Sequence, residues 1–300
     1  MSSHLPPNHV ERMQRVAIAL DGLSVGDALG EQFFAEGGAA LLVRRTVPDP
    51  YWFYTDDTEM ALGIAHVLDR FGSIDQDELA KVFAQRHQRN PLRGYGATAH
   101  QILAAISTGK SWQAAARNAF FGEGSMGNGA AMRVAPVGAY WAEDYAETAR
   151  QAIRSAEVTH AHPEGIAGAV AVAVAAAWAW RQGRSEELPG TMLQRVLDFT
   201  PDGTTRSGIE HALQIVADTP IETVARKLGN GSRVTAPDTV PFALWCAARH
   251  SQNFEQAIWS AISAWGDIDT NCAIVGGIIA LTVGRAGIPQ AWLNAREELT

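Results

Sequence analysis

The chain has 300 residues, of which 47% are hydrophobic and 19% charged, and its formal net charge is −8. This composition fits a folded globular protein and excludes a mainly disordered chain, and the acidic balance argues against general nucleic-acid binding. The longest apolar stretch, residues 165–180, is shorter than the roughly 20 residues that span a bilayer, so we predict no membrane association. The first ten residues lack the pattern of a secretory signal, so we expect a cytoplasmic protein.

Helices are predicted along almost the whole chain, because apolar residues recur at helical spacing and no alternating β-branched run competes. In chain order the predicted helices cover residues 16–29, 58–71, 75–87, 95–107, 111–121, 142–157, 165–180, 192–197, 205–216, 238–249, 254–264, 271–283 and 289–298. No linker or internal repeat divides them. We therefore predict an all-α fold, with one compact multi-helix domain over residues 15–300 and a flexible tail over residues 1–14.

Two acidic segments lie 210 residues apart, each predicted to stand immediately before a helix. Each contains a pair of aspartates and a threonine, and the residues concerned are Thr55, Asp56, Asp57, Asp267, Asp269 and Thr270. Aspartate and threonine are good N-caps, so capping is one explanation. Two segments with more carboxylates than capping requires favour another, because hard divalent cations bind carboxylate and hydroxyl oxygens. The pattern predicts a metal-containing cleft.

A glycine-rich segment, residues 122–129, has four glycines in eight residues and precedes an apolar stretch. Backbone amides in such a segment can approach an anion closely, although an ordinary turn has the same composition. His160 and His162 follow further along, beside Glu164. A histidine that hydrogen-bonds or stacks on a ligand, or else a satisfied structural histidine, is favoured over a zinc site, because no further Cys or His stands at ligand spacing. Both cysteines, Cys246 and Cys272, lie in apolar runs and are predicted to be buried packing residues.

These segments together resemble the ADP-ribosylglycohydrolases, also called the dinitrogenase-reductase-activating glycohydrolase family. The matching stretches are GDALG, YTDDTEMAL, RGYGA, GSMGNGAAMRVAPVG, THAHP and GDIDTNCAIVGG, in this order along nearly the whole chain. The resemblance implies an all-α protein that binds two Mg²⁺ or Mn²⁺ ions in a cleft. It also implies an enzyme that removes ADP-ribose from a modified acceptor by hydrolysing the glycosidic bond at the anomeric carbon of the distal ribose.

Carried over by motif position, Thr55, Asp56 and Asp57 would hold one metal ion. The second ion would be held by Asp267, Asp269 and Thr270, with Asp269 bridging the two ions. The catalytic candidates are Asp56, Asp57, Glu31 and Asp269. The resemblance places the substrate against Phe121, Gly124, Ser125, Met126, Gly127, Asn128, Gly129, His160, Tyr95 and Gly96.

The chain departs from the family pattern at two positions. Phe34 stands where many members have a glutamate that binds the second metal. Glu31 and Glu36 are the nearest replacements, and we favour Glu31 because it shares a helical face with Asp27. Ile268 replaces the usual threonine between the late aspartates.

These departures leave two rival functions open. One is a non-catalytic ADP-ribose binder, and the other is a metal-dependent phosphohydrolase of a nucleotide derivative. Among glycohydrolases, the GSMGNG and RGYGA stretches are closer to the subgroup that acts on serine-linked and polymeric ADP-ribose. The expected partners are ADP-ribose and an ADP-ribosylated acceptor, and the expected state is a monomer.

Overall fold

The computed structural model describes residues 5–184, 192–216 and 218–300. Throughout this part of the chain the regular elements are helices, and β-pairing is limited to isolated bridges. The α-helices are α1 His9–Glu31, α2 Gly38–Arg44, α3 Asp56–Phe71, α4 Gln76–Arg89, α5 Ala97–Ser107, α6 Trp112–Arg117, α7 Gly129–Met132, α8 Ala135–Tyr140, α9 Tyr145–Glu157, α10 Pro163–Gln182, α11 Met192–Phe199, α12 Thr204–Gln214, α13 Ile221–Leu228, α14 Ala236–Arg249, α15 Phe254–Ser263, α16 Ile268–Val283 and α17 Gln290–Ala295. The predicted all-α fold is confirmed.

Several helix boundaries differ from the predicted ones. The first helix begins at His9, so residues 9–14 are helical rather than part of a tail, and residues 1–4 lie outside the described residues. The short helices α2, α7, α8 and α13 were not predicted, because each has at most eight residues. The predicted helix 111–121 ends at Arg117, since Phe120 and Phe121 both adopt left-handed backbone angles. Helix α14 begins at Ala236, so Asp238 lies in its first turn and is not its cap.

The helix α10 is the centre of the apolar core. It packs against α8, α9, α14 and α16, and its alanines and valines are almost all buried. At 20 residues and a mean hydropathy of 1.3 it is, among the described helices, the one long and apolar enough to cross a membrane, but 78% of it is buried inside the fold. This is the burial expected of a core helix. Cys246 and Cys272 are also buried and free, as predicted.

Helices α1 and α16 approach each other closely. Every fourth residue on the contacting face of α1 is a glycine, at positions Gly22, Gly26 and Gly30. A Cβ atom added at Gly26 would lie 2.1 Å from the carbonyl oxygen of Cys272, and one added at Gly30 would lie 2.7 Å from the Cα of Asp269. The two backbones are therefore in direct contact, a distance that only glycine permits.

The substitution Gly26→Ala tests this contact, because the packing argument and helix propensity predict opposite changes in the free energy of unfolding. Helix propensity alone predicts stabilisation by about 1 kcal/mol. The added methyl group instead meets backbone atoms that cannot move independently, so we expect destabilisation by about 1–3 kcal/mol or more, measured by chemical denaturation. The exposed Ala17, replaced by glycine in the same helix, measures the propensity contribution separately. A more stable Gly26→Ala protein would contradict the packing argument.

Candidate metal centre

Asp27 of α1 holds the start of α3 in place, although the sequence alone predicted no role for it. Its side chain is fully buried. It accepts hydrogen bonds from the backbone N–H of Thr55 at 3.0 Å and of Thr58 at 3.1 Å, and from both threonine hydroxyl groups. These backbone amides are at the start of α3, where a helix has N–H groups without helical partners. Asp27 therefore fixes the position of the segment that carries Asp56 and Asp57.

Three carboxylates from three helices meet at this point. One oxygen of each of Asp27, Asp57 and Asp269 lies within 4.8 Å of the others, so the three could hold a metal ion. The Oδ1 atoms of Asp57 and Asp269 are buried and have no hydrogen-bond partner among the described residues. A buried carboxylate oxygen without a donor is costly. The donor set consists of oxygen atoms, which suits a hard divalent cation, so these residues fit the predicted metal.

The electrostatics of the cluster also favour a cation. Burial raises the pKa of Asp27 to about 6, although its hydrogen bonds oppose the shift. Burial, followed by the charge of Asp27, raises the pKa of Asp56 to about 8. The pKa values of Asp57 and Asp269 are raised well above the ordinary value for the same two reasons, burial and neighbouring aspartates. Burial and mutual repulsion thus disfavour the ionised forms of these aspartates, and a divalent ion would remove the repulsion.

The acidic segments start their helices differently from the prediction. Thr55 is the N-cap of α3, and Asp56 and Asp57 are its first two residues rather than residues before it. Asp267 is the N-cap of α16, and Asp269 lies in the first turn. The carboxylates thus lie where the helix dipoles partly offset their charge.

Asp267 connects the second acidic segment to the glycine-rich segment. Its Oδ2 accepts a hydrogen bond from the side-chain amide of Asn128, which also donates to the hydroxyl of Thr239 at 3.0 Å. Thr270, which follows on α16, is 3.5 Å from the Oδ2 of Asp57 through its hydroxyl oxygen. The two predicted metal-binding segments are therefore adjacent in the fold.

Glu31 is half-buried beside this cluster. Burial raises its pKa, and the charge of Asp267 raises it further. Glu36, the other candidate, is exposed, and so is the side chain of Phe34. Glu31 is thus in electrostatic contact with Asp267, whereas Glu36 is exposed.

The glycine-rich segment folds tightly against residues 159–164, which we call the histidine segment. The hydroxyl of Ser125 accepts a hydrogen bond from the N–H of Gly127 at 3.1 Å. Cβ atoms added at Gly127 and Gly129 would each lie 3.2 Å from the Nε2 atom of His160, which is nearly fully buried. At Gly124, where the backbone is left-handed, an added Cβ would lie 2.6 Å from a backbone nitrogen of the histidine segment. These residues form one surface next to Asp267.

The other predicted substrate-binding residues lie in different environments. Tyr95 is buried and contacts His87 and His100, and burial raises its pKa. Gly96 is the N-cap of α5 and has open space beside it. Phe121 is fully exposed and Met126 partly so. Tyr95 is thus buried to about the same degree as Ser125, Asn128 and His160.

Glu164 has a structural role in this fold. Its carboxylate accepts hydrogen bonds from the backbone N–H groups of Thr204 and Thr205 at the start of α12, at 2.6 and 2.8 Å. His162 caps the start of α10. Both are thus engaged at helix starts, which agrees with the reading against zinc.

Asn230 is a further residue that the sequence analysis missed. Its carbonyl oxygen accepts hydrogen bonds from the N–H of Asp267 at 3.1 Å and from the side chain of Asn271 at 2.7 Å. It belongs to a second Gly-Asn-Gly sequence, residues 229–231, which repeats the one at residues 127–129. That repetition was the available signal.

The fold and the site define a class of protein: an all-helical protein with a buried carboxylate cluster that can hold a metal ion. The chain matches the ADP-ribosylglycohydrolase family over residues 8–300, and it belongs to that family. The activity of this class, hydrolysis of an ADP-ribosyl bond, is the one that the earlier resemblance implied.

Its relatives include proteins from animals, archaea and bacteria. The chain is 29% identical to ADP-ribosylhydrolase ARH3 of Homo sapiens, over 95% of this chain and 90% of the relative. It is 32% identical to an uncharacterized protein of Archaeoglobus fulgidus, over 92% and 90%, and 25% identical to ADP-ribosyl-[dinitrogen reductase] glycohydrolase of Rhodospirillum rubrum, over 91% and 87%. A solved ADP-ribosylglycohydrolase-related protein complex superposes with a TM-score of 0.67 at 26% identity, over 96% of this chain and 94% of that chain.

The raised pKa values predict how the stability of the metal-free protein depends on pH. The pKa of Asp56 is 3.8 ordinarily and about 8 in the fold, so the folded state holds a proton that the unfolded state has lost. The stability that this proton provides is fully present below the ordinary pKa of 3.8. It is lost as pH rises towards the folded-state pKa of about 8. In chelator, the free energy of unfolding should therefore fall across this range. Added Mg²⁺ should restore more stability near pH 8 than at acidic pH.

Thermal unfolding at several pH values checks this expectation, with Asp56→Asn as the comparison. The variant cannot ionise at this position, so its stability should fall less steeply with pH. Equal slopes for the two proteins would show that Asp56 does not carry the effect.

Proposed function

We propose that this chain hydrolyses the glycosidic bond between the distal ribose of ADP-ribose and an acceptor, and that it does so with two Mg²⁺ or Mn²⁺ ions. The observation that carries the proposal is the contact between the carboxylate cluster and the glycine-rich segment. Asn128 donates a hydrogen bond to Asp267, so a ligand lying on residues 125–129 would extend directly to the aspartates. Such a ligand has an anionic part and a polyhydroxylated part, as ADP-ribose has.

The metal ligands in this proposal come from three helices. Asp27, Asp57 and Asp269 would form the centre, and the remaining ligands would be Thr55, Asp56, Asp267, Thr270 and Glu31. Divalent ions at such a centre supply Lewis-acid chemistry, in which sugar hydroxyl groups are oriented and water is acidified. The unpartnered Oδ1 atoms of Asp57 and Asp269 support this assignment.

The chain's own groups would bind and orient the substrate. Backbone amides of the glycine-rich segment would face the diphosphate, and His160 would lie beside it. Glycosidic hydrolysis passes through an oxocarbenium-like state, which nearby carboxylates stabilise. A carboxylate can also act as the general base, and Asp56, Asp57 and Glu31 are the candidates for this role.

The acceptor is proposed from likeness. The similarity to ADP-ribosylhydrolase ARH3 and the GSMGNG and RGYGA stretches support an acceptor of the serine-linked or polymeric type. A panel of peptides carrying ADP-ribose on serine or arginine, together with poly-ADP-ribose, tests this by release of free ADP-ribose. Release of AMP or phosphate would indicate a phosphohydrolase, and binding without release would indicate a non-catalytic binder.

Chelation should abolish the release of ADP-ribose, and Mg²⁺ or Mn²⁺ should restore it, because every proposed ligand is an oxygen atom. Asp269→Asn should lower turnover about a hundredfold or more while the fold persists, since the variant keeps the size of the side chain. The measurements are turnover against metal concentration and thermal unfolding of the same samples. Full activity in a metal-free preparation would contradict the proposed centre.

Glu31→Gln and Glu36→Gln form a matched pair for the ligand that differs from the family pattern. Glu31 is half-buried next to Asp267 and Asp269, whereas Glu36 is exposed five residues away. We expect Glu31→Gln to weaken apparent metal affinity about 10- to 100-fold and to lower turnover. Glu36→Gln should leave both unchanged. The reverse result would identify Glu36 as the ligand.

A further inference from the structure

A fully buried arginine, Arg133, lies under the glycine-rich segment. No carboxylate is within ion-pair distance of it in the described part of the chain. Burial accordingly lowers the pKa of its guanidinium to about 9, which the charge of Asp56 partly opposes. A buried cation is costly unless its N–H groups are satisfied, so its contacts reveal why it is there.

The guanidinium of Arg133 donates to neutral oxygen atoms of the glycine-rich segment, of α9 and of the histidine segment. It donates to the carbonyl oxygen of Gly129 at 3.0 Å and to that of Ser155 at 3.2 Å. It also donates to the hydroxyl oxygen of Thr159 at 2.8 Å, and it stacks on the ring of Phe83 with 4.7 Å between its central carbon and the ring centre. Arg133 thereby joins the glycine-rich segment to the histidine segment.

The contact with Thr159 determines where the threonine hydroxyl hydrogen goes. A guanidinium has only donors, so Thr159 must accept from Arg133. The other partner of this hydroxyl group is the Nδ1 atom of His160, at 2.8 Å. Within the described residues this nitrogen is thus the acceptor available to the threonine hydrogen, and leaving a buried hydroxyl hydrogen unpaired costs about 1–3 kcal/mol. His160 must therefore accept at Nδ1.

An imidazole that accepts at Nδ1 and is neutral carries its hydrogen on Nε2. Burial, and secondly the positive charge of Arg133, lower the pKa of His160 to about 3, which keeps the ring neutral. Its Nε2 atom is on the side of Gly127 and Gly129, 3.2 Å from the position of an added Cβ at either glycine. The Nε2–H group is consequently directed at the surface where the ligand would lie.

We propose that Arg133, acting through the hydroxyl of Thr159, fixes His160 as a neutral hydrogen-bond donor whose Nε2–H group points at an oxygen atom of the bound ligand. Arg133 and Thr159 are then positioning residues, and His160 is the residue that touches the ligand. The ligand itself rests on the proposed function, whereas the state of His160 in the free protein does not.

Nitrogen-15 NMR of the free protein measures this state directly. The chain has nine histidines, so the His160 signals are assigned by their loss in His160→Gln. We expect a pyridine-type nitrogen at Nδ1 and a pyrrole-type nitrogen at Nε2 near neutral pH. A pyrrole-type Nδ1 would overturn the proposal, whatever the enzyme hydrolyses.

The variant Thr159→Val removes the hydroxyl group and keeps the shape of the side chain. In this variant we expect a larger fraction of His160 to carry its hydrogen on Nδ1. We also expect the affinity for ADP-ribose, measured by calorimetry, to fall about tenfold. Thr159→Ser restores the hydroxyl and should retain both properties. Thr200→Val is the control for loss of a buried hydroxyl, because the Thr200 hydroxyl bonds, among the described residues, only to the carbonyl oxygen of Val196, at 2.7 Å in its own helix end.

The outcomes separate this proposal from the proposed function. Unchanged tautomer and unchanged ADP-ribose affinity in Thr159→Val would overturn the role of Thr159, even if hydrolysis is confirmed. If Thr159→Val does not fold, the tautomer of the unaltered protein and of Thr159→Ser decides the question. A protein that releases no ADP-ribose but shows the expected nitrogen signals would contradict the function and leave the inference intact.

Discussion

The buried carboxylate of Asp27 is the interaction on which the rest of the site depends. It receives four donors from the first turn of α3, and these include amides that the helix itself leaves without partners. One set of hydrogen bonds therefore stabilises a buried carboxylate, provides partners for N–H groups at a helix start and places Asp57 beside Asp269. This arrangement is possible because the glycines of α1 allow its backbone to touch α16.

The cluster is a local cost that the surrounding core must offset. Several aspartates raise one another's pKa values in a place from which water is largely excluded. The core around α10 and α16 is correspondingly apolar and closely packed. Such a division, with strain at the site and excess packing elsewhere, is common where function requires groups that do not stabilise the fold.

Local sequence predicted the parts of this protein that local forces determine. Helices follow from apolar spacing, and the aspartate pairs and the glycine-rich segment were visible as unusual compositions. Asp27 was not identified, because its importance arises from contacts with residues about 30 positions away. The packing of Tyr95 against His87 and His100 was not predicted either, because it also depends on tertiary contacts. Short helices such as α8 were missed since packing, more than their sequence, stabilises them.

The three central carboxylates lie near opposite ends of the sequence, and this has a consequence for biosynthesis. Asp27 and Asp57 leave the ribosome early, whereas Asp269 is made about 210 residues after Asp57. At roughly 5–20 residues per second, the early pair waits on the order of ten seconds or more for its third member. During that interval α1 also lacks the helix that covers its glycine face. The carboxylate cluster of a nascent chain is therefore incomplete for most of its translation.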